Sequence, residues 1–102
     1  MRCKVILSSK ELAVEIISEL EKVEKGYILS VLKEFENYED AKEYVFSEAC
    51  TFSSYLVVDI ADIIMIIPKR DIGKYSDINL LKAFITLDKA EKFKEECYNA
   101  LS

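Results

Sequence analysis

Two lysines beside aromatic residues are the groups in this chain best placed to contact a partner. Lys33 lies in Leu32-Lys33-Glu34-Phe35 and Lys82 in Leu81-Lys82-Ala83-Phe84, 49 residues further on. Each is expected mid-strand, on the face that carries Phe35 or Phe84. If both lay near one axis, the pair could hold an acidic peptide or a phosphate. The competing reading is simpler: each alkyl stem covers apolar surface while its ammonium stays in water. On that reading Leu32, Phe35, Leu81 and Phe84 are core.

The other chemistry on offer is thinner. Pro68-Lys69-Arg70-Asp71-Ile72-Gly73-Lys74 gathers Lys69, Arg70 and Lys74 into the only basic cluster. It lacks both the Walker spacing and Gly-x-Gly-x-x-Gly, so a solvated turn explains it with less. Asp59 and Asp62 flank an apolar stretch and could serve as acid and base on a glycosidic bond. A turn or a helix cap accounts for both without catalysis. The chain has no His, so acid–base work would fall to carboxylates, Lys, Tyr or Cys. Cys3, Cys50 and Cys97 are odd in number and show no C-x-x-C spacing, and a tetrahedral zinc site would lack its N and S ligands. They read as buried free thiols in a reducing, intracellular setting. The sequence therefore implies no enzyme, no cofactor and no metal.

The elements that must position these residues follow from spacing. Residues 2–7 alternate as a short strand. Ser8 stands three residues before Glu11 like a capping box, and Leu12, Ala13, Ile16, Ile17, Leu20 and Val23 recur at helical spacing up to Gly26. Tyr27 to Phe35 reads as a second strand. Asn37 caps a helix with Glu39 and Asp40 in its first turn and Ala41, Tyr44, Val45 and Ala49 on its buried side, through to about Cys50. Residues 51–54 join two halves. Tyr55 to Val58 is a strand, and the β-branched run Ile63-Ile64-Met65-Ile66-Ile67 predicts a strand pair turning near Asp59 to Asp62, with a helix over Ile60 to Ile67 as the competing reading. Pro68 ends it. A loop over 69–77 leads to a strand over Ile78 to Leu87. Asp88 and Glu91 then cap a last helix bearing Ala90, Phe93, Cys97, Tyr98 and Leu101.

The strand-then-helix portion occurs twice. Residues 29–50 and 78–99 share Leu32/Leu81, Lys33/Lys82, Phe35/Phe84 and Ala41/Ala90, with Tyr44 echoed by Phe93. This predicts one α+β domain over 1–102, built of two similar units, 1–50 and 51–102. The units are expected to bury their apolar faces together about an approximate two-fold axis, leaving a groove or a sheet edge as the working surface.

Composition narrows the partner. A length of 102 residues suits one domain, and 51% hydrophobic residues give it a core despite 32% charged ones. The net charge of -5 repels a polyanion, so nucleic acid is the lesser alternative, through Lys69, Arg70 and Lys74. No run is long and apolar enough for a bilayer, which predicts a soluble, cytoplasmic protein without a membrane partner. The absence of Gln, only three Asn, and the weight of Ile, Lys and Glu follow the hyperthermophile pattern.

In size, in its Ile/Lys/Glu/Tyr-rich composition and in the Leu-Lys-x-Phe echo, the chain resembles the small orphan proteins of hyperthermophilic archaeal viruses. That resemblance implies a duplicated fold, a setting inside the host archaeon and a role through protein contact, with a host protein as one candidate partner. It assigns no site residues. The expected function is a non-enzymatic module that binds a protein or peptide segment, with homodimer formation as another use of the same edge.

Overall fold

The computed structural model describes residues 2–9, 11–18 and 28–101. Six antiparallel strands form one sheet: β1 (Cys3–Ser8), β2 (Ala13–Ser18), β3 (Ile28–Phe35), β4 (Tyr55–Ile60), β5 (Ile63–Pro68) and β6 (Asn79–Phe84). Two helices, α1 (Tyr38–Phe46) and α2 (Leu87–Leu101), pack on it, and a 3-10 segment, Lys69–Lys74, links β5 to β6. A radius of gyration of 13.1 Å is that of one compact α+β domain of this length.

The strands run in the order β3-β1-β2-β6-β4-β5. Each half makes a hairpin, returns a third strand antiparallel to the hairpin's first strand, and ends in a helix. The halves meet edge to edge where β2 pairs with β6 through Ala13↔Phe84 and Val14↔Ala83. The sequence predicts halves that face one another about a two-fold axis, but both lie in one continuous sheet. They lie side by side, with their strand orders running the same way across the sheet.

This arrangement sends the helices to opposite faces. Successive strand residues alternate between faces. On β4, Leu56 and Val58 pack in the cluster that holds Ala41 and Val45 of α1, whereas Val57 packs in the cluster that holds Ala90 of α2. The same division separates Val14 from Ala13 and Ala83 from Phe84. Both faces of the central strands are therefore covered, which is why Phe84, Leu56, Val57 and Val58 are all fully buried.

Local chemistry sets the boundaries. Asn37 accepts the Asp40 backbone N–H at 2.9 Å through its side chain, the cap expected of it, and Glu39 and Asp40 stand in the first turn. The Ser47 backbone N–H and hydroxyl both donate to the Tyr44 carbonyl, ending α1 at Phe46, short of the Cys50 predicted for it. Ala49 is exposed instead of lying on the helix's buried side. For α2, Thr86 does the work assigned to Asp88: its hydroxyl receives the Lys89 N–H at 3.4 Å. Strand β6 ends at Phe84, before the predicted Leu87. The β4–β5 pair forms as predicted, turning through Ala61 (φ 52°) and Asp62 (φ 66°). Two left-handed residues in a two-residue loop match the strands' twist.

The predicted helix after Leu12 is the main correction. Ala13–Ser18 is strand β2, paired with β1 along its whole length, and Ser8 ends β1 where a helix cap is predicted. Val14, Ile16 and Ile17 are β-branched and prefer an extended backbone, and β1 supplies the hydrogen-bonding neighbour. The remainder of that helix, with Leu20, Val23 and Gly26, lies outside the described residues, as does Tyr27.

Candidate functional site

Both lysines lie over aromatic rings, in nearly the same setting. In the first half Phe35 and Tyr44 meet at 5.5 Å and 47°, and in the second Phe84 and Phe93 meet at 5.4 Å and 46°. Lys33 Nζ stands 5.5 Å from the Phe35 ring and 5.6 Å from Tyr44, and Lys82 Nζ stands 4.9 Å from Phe93. The register repeats as well. Lys33 lies opposite Val5 and Lys82 opposite Val57, and in each case the next step carries a register shift, between Val5 and Ile6 or between Val57 and Val58. A bulge re-aims the strand at one point, and here it does so beside each lysine.

Their surroundings differ. Lys82 faces the strand that docks beside it: Glu15 of β2 lies at 3.0 Å, and Glu11, ahead of β2, at 3.1 Å. Burial alone would lower its pKa, but hydrogen bonds from its ammonium to Glu15 and Glu11, with their charges, outweigh that and hold it above the usual lysine value. Lys33 is exposed on β3, the outermost strand of the described sheet, and forms no ion pair with the described residues. The two lysines therefore do not share one site, since β1 and β2 stand between their strands. Leu32 and Phe35 pack against the core on the α1 side, Phe84 is fully buried, and Leu81 is half-exposed.

Past its two ladder pairs the β2–β6 seam opens into a groove of about 300 Å³ lined by Val14, Glu15, Ile16, Tyr38, Leu81 and Lys82, among others. A groove between the halves is thus present, but Lys82, its cation, is already bracketed by two carboxylates.

The basic loop is also partly committed. The Lys69 ammonium turns inward and donates to the Ser47 carbonyl at 2.9 Å, to the Cys50 carbonyl and to the Ser53 hydroxyl at 3.3 Å. It ties the segment after α1 to the end of β5. Lys74 pairs with Asp71 at 3.3 Å, and Arg70 is exposed. Of the three basic residues only Arg70 lacks a described ion pair or an inward contact. Asp62 sits in the β4–β5 turn and Asp59 on β4, so the turn reading accounts for Asp62. Cys3 and Cys50 are buried free thiols, and Cys97 is half-buried, its pKa raised first by burial and then by Glu96. Among the described residues no group of three or more His, Cys, Asp or Glu could hold a metal, and no helix is long and apolar enough to cross a membrane.

The sheet's two edges are treated differently. The closing pair of a two-residue hairpin, Ile60↔Ile63, is hydrogen-bonded, and the pattern alternates from there. The Lys69 N–H bond to the Ser54 carbonyl keeps that alternation. Ile64, Ile66 and Pro68 therefore turn their backbone groups outward. The Tyr98 hydroxyl donates to the Ile64 carbonyl at 3.1 Å, and Pro68 has no N–H to offer. Edge β5 is thus capped at two of its three outward positions. Edge β3 has no such cap among the described residues, and its residues Leu29 and Val31 are 58% and 49% exposed. The sequence places Glu11 in a helix cap, Glu15 on a helix face and Tyr98 on an apolar helix stripe, and does not foresee their contacts with Lys82 and the Ile64 carbonyl. A glutamate between apolar residues in β2 was the available clue that it faces a cation.

No protein-family model, curated protein or solved structure matches the chain.

Proposed function

We propose that this chain is a non-enzymatic interaction module, made of two copies of one strand–strand–strand–helix unit, that takes an extended segment of a protein partner at the β3 edge. The observation that carries this reading is the unequal treatment of the edges. Open strand edges invite pairing with other chains, and proteins normally blunt them. Here β5 is blunted by Tyr98 and Pro68, while β3 presents apolar side chains and a lysine that forms no ion pair with the described residues. Strand addition uses main-chain hydrogen bonds for affinity and alternate side chains for specificity. The matching registers, bulges, aromatic pairs and lysines support duplication of the unit, with the copies related by a half-turn and a shift across the sheet.

The nucleic-acid reading through Lys69, Arg70 and Lys74 loses support because Lys69 points inward, and the net charge of -5 opposes it. A displayed library of extended peptides separates the two. Selected peptides should lose binding to the Leu29→Lys and Val31→Lys variants, which place charges on the edge without touching the core, and should keep it with Arg70→Glu/Lys74→Glu. Binding that instead falls steeply with salt and vanishes with Arg70→Glu/Lys74→Glu would overturn the edge reading.

A further inference from the structure

We infer that the β3 edge selects an acidic–apolar segment, one whose carboxylate lands on Lys33 when the segment pairs antiparallel with β3. This rests on the edge reading above and adds the chemistry of the occupant. The protein shows that chemistry at the corresponding place in its second half. There β2 is the segment added to β6, and it carries Glu15 two residues beyond Ala13, directly in front of Lys82. The contact is made of Ala13↔Phe84, Val14↔Ala83, an Ile85 N–H bond to the Leu12 carbonyl at 3.1 Å, and the carboxylates of Glu15 and Glu11 on the ammonium.

The β3 edge offers the same receiving groups. Phe35 stands for Phe84, Lys33 for Lys82, and Tyr44 for Phe93 beneath the ammonium. Among the described residues the first half has no docked strand. An ammonium over two rings with no carboxylate partner among the described residues complements a segment with a glutamate or aspartate at that register. One position departs: Glu34 replaces Ala83. Its carboxylate is held by Arg2 at 3.4 Å and Lys4 at 3.6 Å. Because Glu34 and Lys33 alternate along the strand, it is turned to the opposite face from Lys33 and leaves the Lys33 side free.

A second copy of the chain is the poorer occupant. Its strand at the place of β2 is β5, Ile-Ile-Met-Ile-Ile-Pro, which carries no carboxylate and is capped by Tyr98. The occupant is therefore a foreign segment with a small or apolar residue, an apolar residue, an acid and further β-branched residues in succession.

The test uses the chain's own β2 as the probe: a peptide of residues 11–18, Glu-Leu-Ala-Val-Glu-Ile-Ile-Ser, titrated into isotope-labelled full-length protein. The inference predicts saturable amide shifts along Ile28–Phe35. Lys33→Glu should weaken binding by about tenfold or more, through like charges brought together. A peptide with Glu11→Lys and Glu15→Lys should recover it on that variant. Arg70→Glu should change nothing. Peptide binding at β3 that ignores Lys33→Glu would overturn the inference and leave the edge reading standing. No shift on β3 from any extended peptide would overturn both. Concentration-dependent self-association through β3, measured by sedimentation, would replace the foreign segment with a second copy.

Discussion

The first half and the second half place a lysine on the same strand position, beside a similar bulge and next to a similarly tilted aromatic pair, and then treat it in opposite ways. In the second half a strand docks alongside, two carboxylates close on the ammonium and a helix covers the phenylalanine completely. In the first half the strand is the outermost of the described sheet, and its lysine forms no ion pair with the described residues. Two similar local arrangements thus make a structural joint in one place and, among the described residues, an unpaired edge in the other. The difference follows the neighbour: β2 pairs with β6, and no described strand pairs with the outer side of β3. On the proposed reading, Leu-Lys-x-Phe marks a place where a strand can be added, and it is occupied by β2 at β6 but by none of the described residues at β3.

The largest test of this contrast is in the aromatic pairs. Phe84 is fully buried between α2 and the central strands, whereas Phe35 sits half-buried near the edge. Phe84→Ala should cost about 3–5 kcal/mol and Phe35→Ala about 1–2 kcal/mol in urea denaturation. Equal losses would break the distinction between joint and edge.

The lysines come next. Lys82→Ala leaves two neighbouring carboxylates without their cation and should cost about 2 kcal/mol, while Lys33→Ala should stay within about 0.5 kcal/mol. The pH dependence has a definite sign. Lys82 binds its proton more tightly in the folded chain, so its contribution is complete below its ordinary value of 10.5 and fades as pH rises through the higher folded value. The stability gap between wild type and Lys82→Ala should accordingly be flat through neutral pH and narrow only in strong alkali. A gap that closes between neutral pH and the ordinary lysine value would mean that the glutamates do not hold the proton.

The smallest effect sharpens the comparison of the edges. Tyr98→Phe removes the hydroxyl from the Ile64 carbonyl and should cost about 1 kcal/mol. It should also make the protein self-associate as concentration rises, because the Ile-rich β5 edge loses a cap. A variant that remains monomeric at high concentration would show that Tyr98 does not guard that edge.

Much of the fold was legible where one physical cue dominated. Asn37 with Asp40 marked the start of α1, and the run Ile63 to Ile67 marked β5, because β-branched residues resist the helix. The same cue was present in Val14, Ile16 and Ile17, yet apolar residues spaced three and four apart suggested a helix there. Those positions also satisfy strand alternation, with Glu15 on one face and Val14 and Ile16 on the other. Local periodicity alone could not choose between them, since the deciding neighbour, β1, depends on tertiary pairing. The candidate site was legible to the same extent. The lysine–aromatic echo was visible, but the partners of Lys82 sat inside the misread segment. The inward turn of Lys69 depended on carbonyls freed at the end of α1, which no residue type announces.

The most direct measurement of the central claim is native-state amide exchange at two corresponding residues, Ile85 and Glu36. The Ile85 N–H is bonded to the Leu12 carbonyl of the docked segment, and the Glu36 N–H follows β3 with no such segment beside it among the described residues. The account predicts that Ile85 exchanges slowly, that Glu36 exchanges at least about a hundredfold faster, and that the residue 11–18 peptide slows Glu36 selectively. Equal protection of the two amides in the free protein would contradict it.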